Sequence, residues 1–395
     1  MLAAFATGEP LGDDRFARAL CHRDGRVRRR ALDEVAGRPA LFPLVVVRCA
    51  DWAEPVRNRA RELLAEALDA ETAVVLAPMI LRVAARHRGD HALGLLDDVL
   101  RRAPRERLAP LLVSGDRRVR RFAYRMAVEE GTLSPVELAR AAAEDDDAVV
   151  QGRCAQAALG ESPRAEALDI LLGARNPQAR SAGVTALRRL GQAERAVDFL
   201  ADPSALVRAC ARYVVRQHGI DPLPWYRARC ADPDLPPGAA IGLAECGDRA
   251  DAPLLWALLE HPAPGVRARA VAGLRTLDMA DVRRLRPLLD DPAPGVVGEA
   301  TLALLPSARD LPEEWLLRRL DPGRPRWERV SAWRLLDAHG DAARLRAAVP
   351  LLDDADVRLR TWAEHAVRLV RRREPRAWRS PEIAALLDRA GAVDR

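Results

Sequence analysis

At 395 residues, 49% hydrophobic but only 4% aromatic, the chain carries more apolar surface than one compact core organises. Its basic residues are all arginine, 63 against 57 acids for a net +6, and the eight arginines and two glutamates between Arg358 and Arg379 already supply that excess. A basic field over the whole molecule is therefore excluded, while a basic C-terminal end is not.

No apolar run approaches the ~18 residues of a membrane span. Met1–Phe5 lacks the charged start and long apolar stretch of a secretory leader. The six cysteines show no C-x-x-C spacing, which fits a reducing compartment, so a cytoplasmic location is expected. Ala, Leu and Arg are strong helix formers, and β-branched or aromatic strand runs are nearly absent, so the chain reads as all-α. The absence of lysine reads as the codon bias of a GC-rich genome.

Along the chain one phrase recurs: a turn with Asp and often Pro, then Val-Arg, then a small residue. It appears first at Asp24–Ala31 with Val27 as anchor, then at Val56, Val119, Val150, Ala179, Val207, Val266, Val296 and Val357. Adjacent anchors lie about thirty residues apart, the length of one short helix pair. The three double gaps predict degenerate units near Asp90–Leu100, Pro236–Cys246 and Arg326–Leu336, making twelve helix pairs. In each pair the anchor opens the second helix (B), and apolar positions recur every four residues: Val27, Ala31, Val35; Val56, Ala60, Leu64; Val266, Ala270, Leu274. The residue four after each anchor is small (Ala31, Ala60, Ala123, Cys154, Gly183, Ala211, Ala270, Ala300, Thr361), as close helix packing requires. Start signals agree. Ser134-Pro135-Val136-Glu137 reads as a capping box, and Glu144–Asp147 places negative charge at the head of a B helix.

The signature D-P-x-x-x-V-R-x-x-A resembles the HEAT-repeat superfamily, in particular the short units grouped as PBS-lyase HEAT-like repeats. That resemblance implies an armadillo-type, right-handed α-α superhelix of about twelve ~30-residue pairs, with the B helices on its concave face. It implies a single solenoid over residues 1–372, followed at 373–395 by a basic tail or capping helix. The resemblance is unspecific for function, since the family includes scaffolds, bilin lyase subunits and regulators. The expected function is that of a non-enzymatic scaffold binding a protein or peptide partner on the concave B-helix surface, with no cofactor, metal or membrane expected.

Three sets of residues are candidates for contact. The arginine after the anchor (Arg28, Arg57, Arg120, Arg180, Arg208, Arg267, Arg358) is expected to be structural, pairing with turn acids such as Asp24, Asp116, Asp202 and Asp354 to hold the units in register. A second row, three after the anchor, comprises Arg30, Arg59, Arg153, Arg269 and Arg360. It lies on an edge of the B helix and is the expected partner-binding row. At the C-terminal end Trp362, Arg368, Arg371, Arg372, Arg373, Arg376, Trp378 and Arg379 interleave arginine with tryptophan. This is the pattern that holds phosphates and stacks bases, and it carries the alternative reading of a nucleic-acid-binding solenoid. Trp327-Glu328 and Trp333 with Asp337 are the residues that a glycosylase-like version of that alternative would use. No nucleotide-binding or catalytic motif is found, and His87 and His91 straddle Gly89, a turn residue, rather than sharing a helix face.

Overall fold

A computed structural model describes residues 13–372 and 381–393, and every regular element among them is helical. The chain divides into two compact units, Met1–Ala186 and Leu187–Arg395. The first contains six helix pairs: α1 (Asp13–Leu20) with α2 (Gly25–Asp33), α3 (Phe42–Arg48) with α4 (Glu54–Ala67), α5 (Ala70–Val83) with α6 (Asp90–Arg102), α7 (Ala109–Leu112) with α8 (Arg117–Glu129), α9 (Pro135–Glu144) with α10 (Ala148–Leu159), and α11 (Ala165–Leu172) with α12 (Pro177–Leu187).

The second contains six more: α13 (Ala193–Val197) with α14 (Ala205–Gln217), α15 (Pro222–Cys230) with α16 (Pro237–Cys246), α17 (Ala252–Ala257) with α18 (Pro264–Thr276), α19 (Val282–Leu285) with α20 (Pro294–Leu304), α21 (Glu313–Arg318) with α22 (Arg326–His339), and α23 (Asp341–Leu351) with α24 (Val357–Arg372). A last helix, α25 (Pro381–Val393), packs on α23 and α24 and buries Leu386, Leu387 and Ala390. Each unit is thus an α-solenoid of helix pairs, and the three degenerate repeats are the B helices α6, α16 and α22.

Local chemistry sets the helix starts. Ser134 accepts from the Glu137 N–H while Glu137 reaches back to the Ser134 N–H, closing the capping box that begins α9. Asp147 caps α10 through the Val149 and Val150 amides. Proline stands in the first turn of α4, α18 and α20, where its missing N–H costs nothing.

The anchors behave as a buried stripe: Val27, Val56, Val119, Val150, Ala179, Val207, Val266 and Val296 are all in the core. So are the small residues one turn on, including Ala31, Ala60, Ala211 and Ala270. A close approach between side chain and backbone lies at Gly242 of α16. A Cβ there would stand 2.2 Å from Cε1 of Tyr226, a fully buried ring on α15.

The last pair departs from the expected register. Val357 is 63% exposed, whereas Leu359 is fully buried. The cause is the cap: Asp356 accepts from the Arg358 and Leu359 amides at 2.9 and 3.2 Å, so the B helix is set two residues later than the Val-Arg phrase indicated. The anchor is therefore Leu359, the small residue is the buried Ala363 rather than Thr361, and the arginine after the anchor is Arg360 rather than Arg358. In α22 the anchor position is Glu328, which is why that repeat was invisible to an apolar pattern.

Candidate functional site

The most regular polar construction is a ladder of arginines on the B helices. The ladder residue sits four after the helix cap, and its Nη1 donates back to carbonyls at the end of the preceding A helix. Arg28 donates to His22 O and Arg23 O at 2.7 and 3.0 Å. Arg180 does so to Ala174 O and Arg175 O at 2.8 and 2.7 Å. Arg208 and Arg267 repeat the contact on residues 202–203 and 261–262. Arg57 uses Asp51 O and Trp52 O, Arg120 uses Ser114 O, and Arg360 uses Asp354 O. In α10, Gln151 takes the role with a 2.6 Å bond to Asp145 O. These carbonyls have no helical partner of their own, so the guanidinium fixes the A–B turn.

The other edge of the guanidinium reaches forward into the next pair. Arg28 holds Asp51 with two bonds of 2.9 and 2.8 Å, Arg267 holds Asp291 with two of 2.8 Å, and Arg120 holds Asp145 at 2.9 and 3.2 Å. Arg329 of α22 grips Asp354 in the same sense. Each of these acids spends one oxygen on an amide of its own turn, as Asp51 does on Ala53 N at 2.9 Å. The acid partner is thus supplied by the following turn. The expected own-turn acids do other work: Asp24 and Asp116 cap their helices, and Asp202 accepts from Ser204 N.

Burial alone would raise Asp51 and Asp291, yet hydrogen bonds from their arginines hold both below the usual carboxylate range. Glu245 of α16 is a variant of the theme, gripped by both Arg208 and Arg212. Burial pushes it up, and the two guanidiniums more than reverse this.

The expected partner-binding row is less uniform. Arg30 is exposed on α2, and Arg59 is half-buried and paired with Asp33 and Glu62 at 3.1 Å each. Arg153 lines a shallow hollow with Val128, Val149 and Gln156, and Arg269 is half-buried on α18. Arg360 instead fills the ladder position, so in the last pair the row is occupied by Trp362. Of the C-terminal patch, Arg373, Arg376, Trp378 and Arg379 lie outside the described residues. Trp362 lies under the Arg358 guanidinium at 4.7 Å, Arg368 pairs with Glu364 at 3.5 Å, Arg371 donates to Leu387 O at 3.2 Å, and Arg372 is exposed.

Trp333 and Trp362 do come together. With Leu302, Leu369, Arg334 and His365 they line a groove of about 570 Å³ across α20, α22 and α24. Asp337 lies in the same groove but is tied to Arg344, and Glu328 is tied to Arg319 and Arg324. Neither carboxylate is poised as a base. Burial pushes the Cys49, Cys154 and Cys230 thiols up to about 12, which keeps them protonated and inert. Sequence reading named the two tryptophans separately. Their spacing of 29 residues, one repeat length, was the signal that they share a surface.

No family model matches the chain, and no curated protein does. Among solved structures, an engineered protein superposes at 16% identity over 91% of this chain and 98% of its own, with a TM-score of 0.26. Kap95p, solved with RanGDP, superposes at 14% identity over all of this chain and 57% of its own, with a TM-score of 0.30. Kap121p does so at 13% identity, over 96% and 52%, with a TM-score of 0.33. The chain spans about half the length of these two karyopherins. At such scores the superpositions carry no argument, and the class rests on the helix pairs and their ladder: this is an α-helical repeat protein of the solenoid class.

Proposed function

We propose that the chain is a non-enzymatic scaffold that binds a segment of a protein or peptide partner on its B-helix surface, in the cytoplasm. The observation that carries this is the groove across α20, α22 and α24. Leu302 is 40% exposed at its wall, Trp333 and Trp362 form its apolar lining, and the exposed Arg334 and His365 stand at its rim. Indole and leucine walls take an apolar anchor side chain, and Arg334 favours an acidic neighbour on the same segment. Arg30, Arg59 and Arg153 on B helices of the first unit and Arg269 on α18 of the second offer further polar contacts. No helix of the described residues is long and apolar enough to cross a membrane.

A peptide-display selection on the full chain tests the reading, with affinities of the enriched peptides measured by fluorescence anisotropy. Peptides sharing an apolar anchor next to an acid, and weakened about tenfold or more by Leu302→Arg or Trp362→Ala, support it. Peptides indifferent to both substitutions overturn it. Binding to labelled DNA that falls steeply with salt, and further on Arg371→Gln with Arg372→Gln, moves the function to nucleic acid.

A further inference from the structure

The ladder has one joint where the chain supplies cations in place of the acid. Arg57 clamps its own turn, but the position that holds Asp51, Asp145, Asp291 or Asp354 in other pairs is His87 here, inside Ala84-Ala85-Arg86-His87-Arg88. Instead of a carboxylate, two further guanidiniums arrive. Arg57 and Arg88 both donate to the single carbonyl of Trp52, at 3.4 and 3.3 Å. Arg61 donates to Cys49 O and Arg88 O at 3.1 and 3.2 Å. With Arg86 these side chains line a hollow of about 500 Å³, in which Asp90 is the one acid, leaving four guanidiniums against one carboxylate, a surplus of three.

Two more observations point the same way. The hollow opens at the start of α6, a 13-residue helix whose cap, Gly89, offers no side-chain acceptor to the first amides. Arg88 is held at φ +67°, a left-handed conformation that costs a residue with a Cβ about 1 kcal/mol or more and turns its carbonyl toward Arg61. The field is felt by its neighbour: burial first, then the Arg61 charge, lowers the affinity of His91 for a proton.

We propose that this hollow is an oxyanion site, in which a phosphate group takes the place of the ladder carboxylate between the second and third pairs. Arg57 presents to it the edge that its counterparts present to aspartate, Arg86 and Arg88 close over it, and the α6 amides face it. A tetrahedral dianion offers more acceptor oxygens than the aspartate it replaces and answers a surplus of about this size.

Titration calorimetry of the full chain with sodium phosphate, at fixed ionic strength in chloride, tests this. The wild-type chain gives a saturable isotherm. Arg88→Gly removes one guanidinium at a backbone conformation glycine adopts freely, so the fold is kept while affinity falls about tenfold or more. His87→Asp places the missing carboxylate at the ladder position, which raises the melting temperature without phosphate and abolishes the phosphate response. Arg283→Gln, an equal charge change on α19, leaves the isotherm unaltered. O-Phosphoserine run beside inorganic phosphate distinguishes the sources: tighter binding of the ester assigns a ligand-borne phosphate, and tighter binding of the inorganic ion a free one. No saturable heat in the wild type, or equal affinity in all three variants, overturns the proposal.

Discussion

In the N-terminal unit arginines on helix faces repeatedly end on carboxylates, although Arg38 and Arg125 also lie over the Phe16 and Phe122 rings. Arg101 reaches Asp97, Glu129 and Glu130, while Arg125 bridges Asp97 and Glu129. In the C-terminal unit they end repeatedly on indoles. Arg284 lies 3.8 Å from the Trp256 ring centre and Arg286 4.5 Å from that of Trp315, which the buried Arg319 also contacts at 4.6 Å. Arg229 and Arg358 sit over Trp225 and Trp362. A chain whose only strong cation is arginine has thus used both partners a planar guanidinium accepts, a carboxylate fork and a π face. The two differ in their response to the medium. Exposed ion pairs are screened by salt and weakened by acid, whereas a guanidinium lying on an indole is less sensitive to either.

Acid should therefore act most broadly. The pKa values of Asp51, Asp97, Glu245 and Asp291 are depressed in the folded chain, and that of Asp147 is lowered to about 2, chiefly by Arg121. A depressed folded pKa adds stability that is fully present above the unfolded value near 4 and disappears as pH falls toward the folded values. Circular dichroism melts should hold steady from neutrality to about pH 5 and fall steeply below pH 4.

Among substitutions, Glu245→Ala is expected to cost most, about 3 kcal/mol or more in urea unfolding, because it strands two buried arginines. Ala270→Leu should cost about 1–3 kcal/mol by overfilling the seam of α18. Trp256→Leu should cost about 1 kcal/mol, little changed by salt. Arg125→Gln should cost under about 1 kcal/mol and nothing measurable in high salt. A Trp256→Leu effect that salt erases would break the contrast between the two units.

Much of this was legible in the sequence. The Val-Arg phrase located nine B helices, and its double gaps located α6, α16 and α22, because a repeat keeps its length even where its residues drift. What failed was tied to particular side chains. Asp356 competes with Asp354 for the cap and moves the last anchor from Val357 to Leu359. The acid partners of Arg28, Arg120 and Arg267 lie one turn further on than their own phrases, since a phrase read alone names no neighbour. The phosphate site left only a faint trace, a turn with two arginines where other turns carry aspartate.

The ladder's double grip also has a mechanical meaning. In Arg28, Arg120 and Arg267 one edge of the guanidinium stiffens a helix pair internally and the other latches that pair to the next, so stiffness within modules and between them is encoded by different atoms of one residue. Under load, the joint between α4 and α6, where Arg57 meets His87 instead of aspartate and single bonds of Arg61 and Arg88 to carbonyls cross, would yield before the aspartate-latched joints.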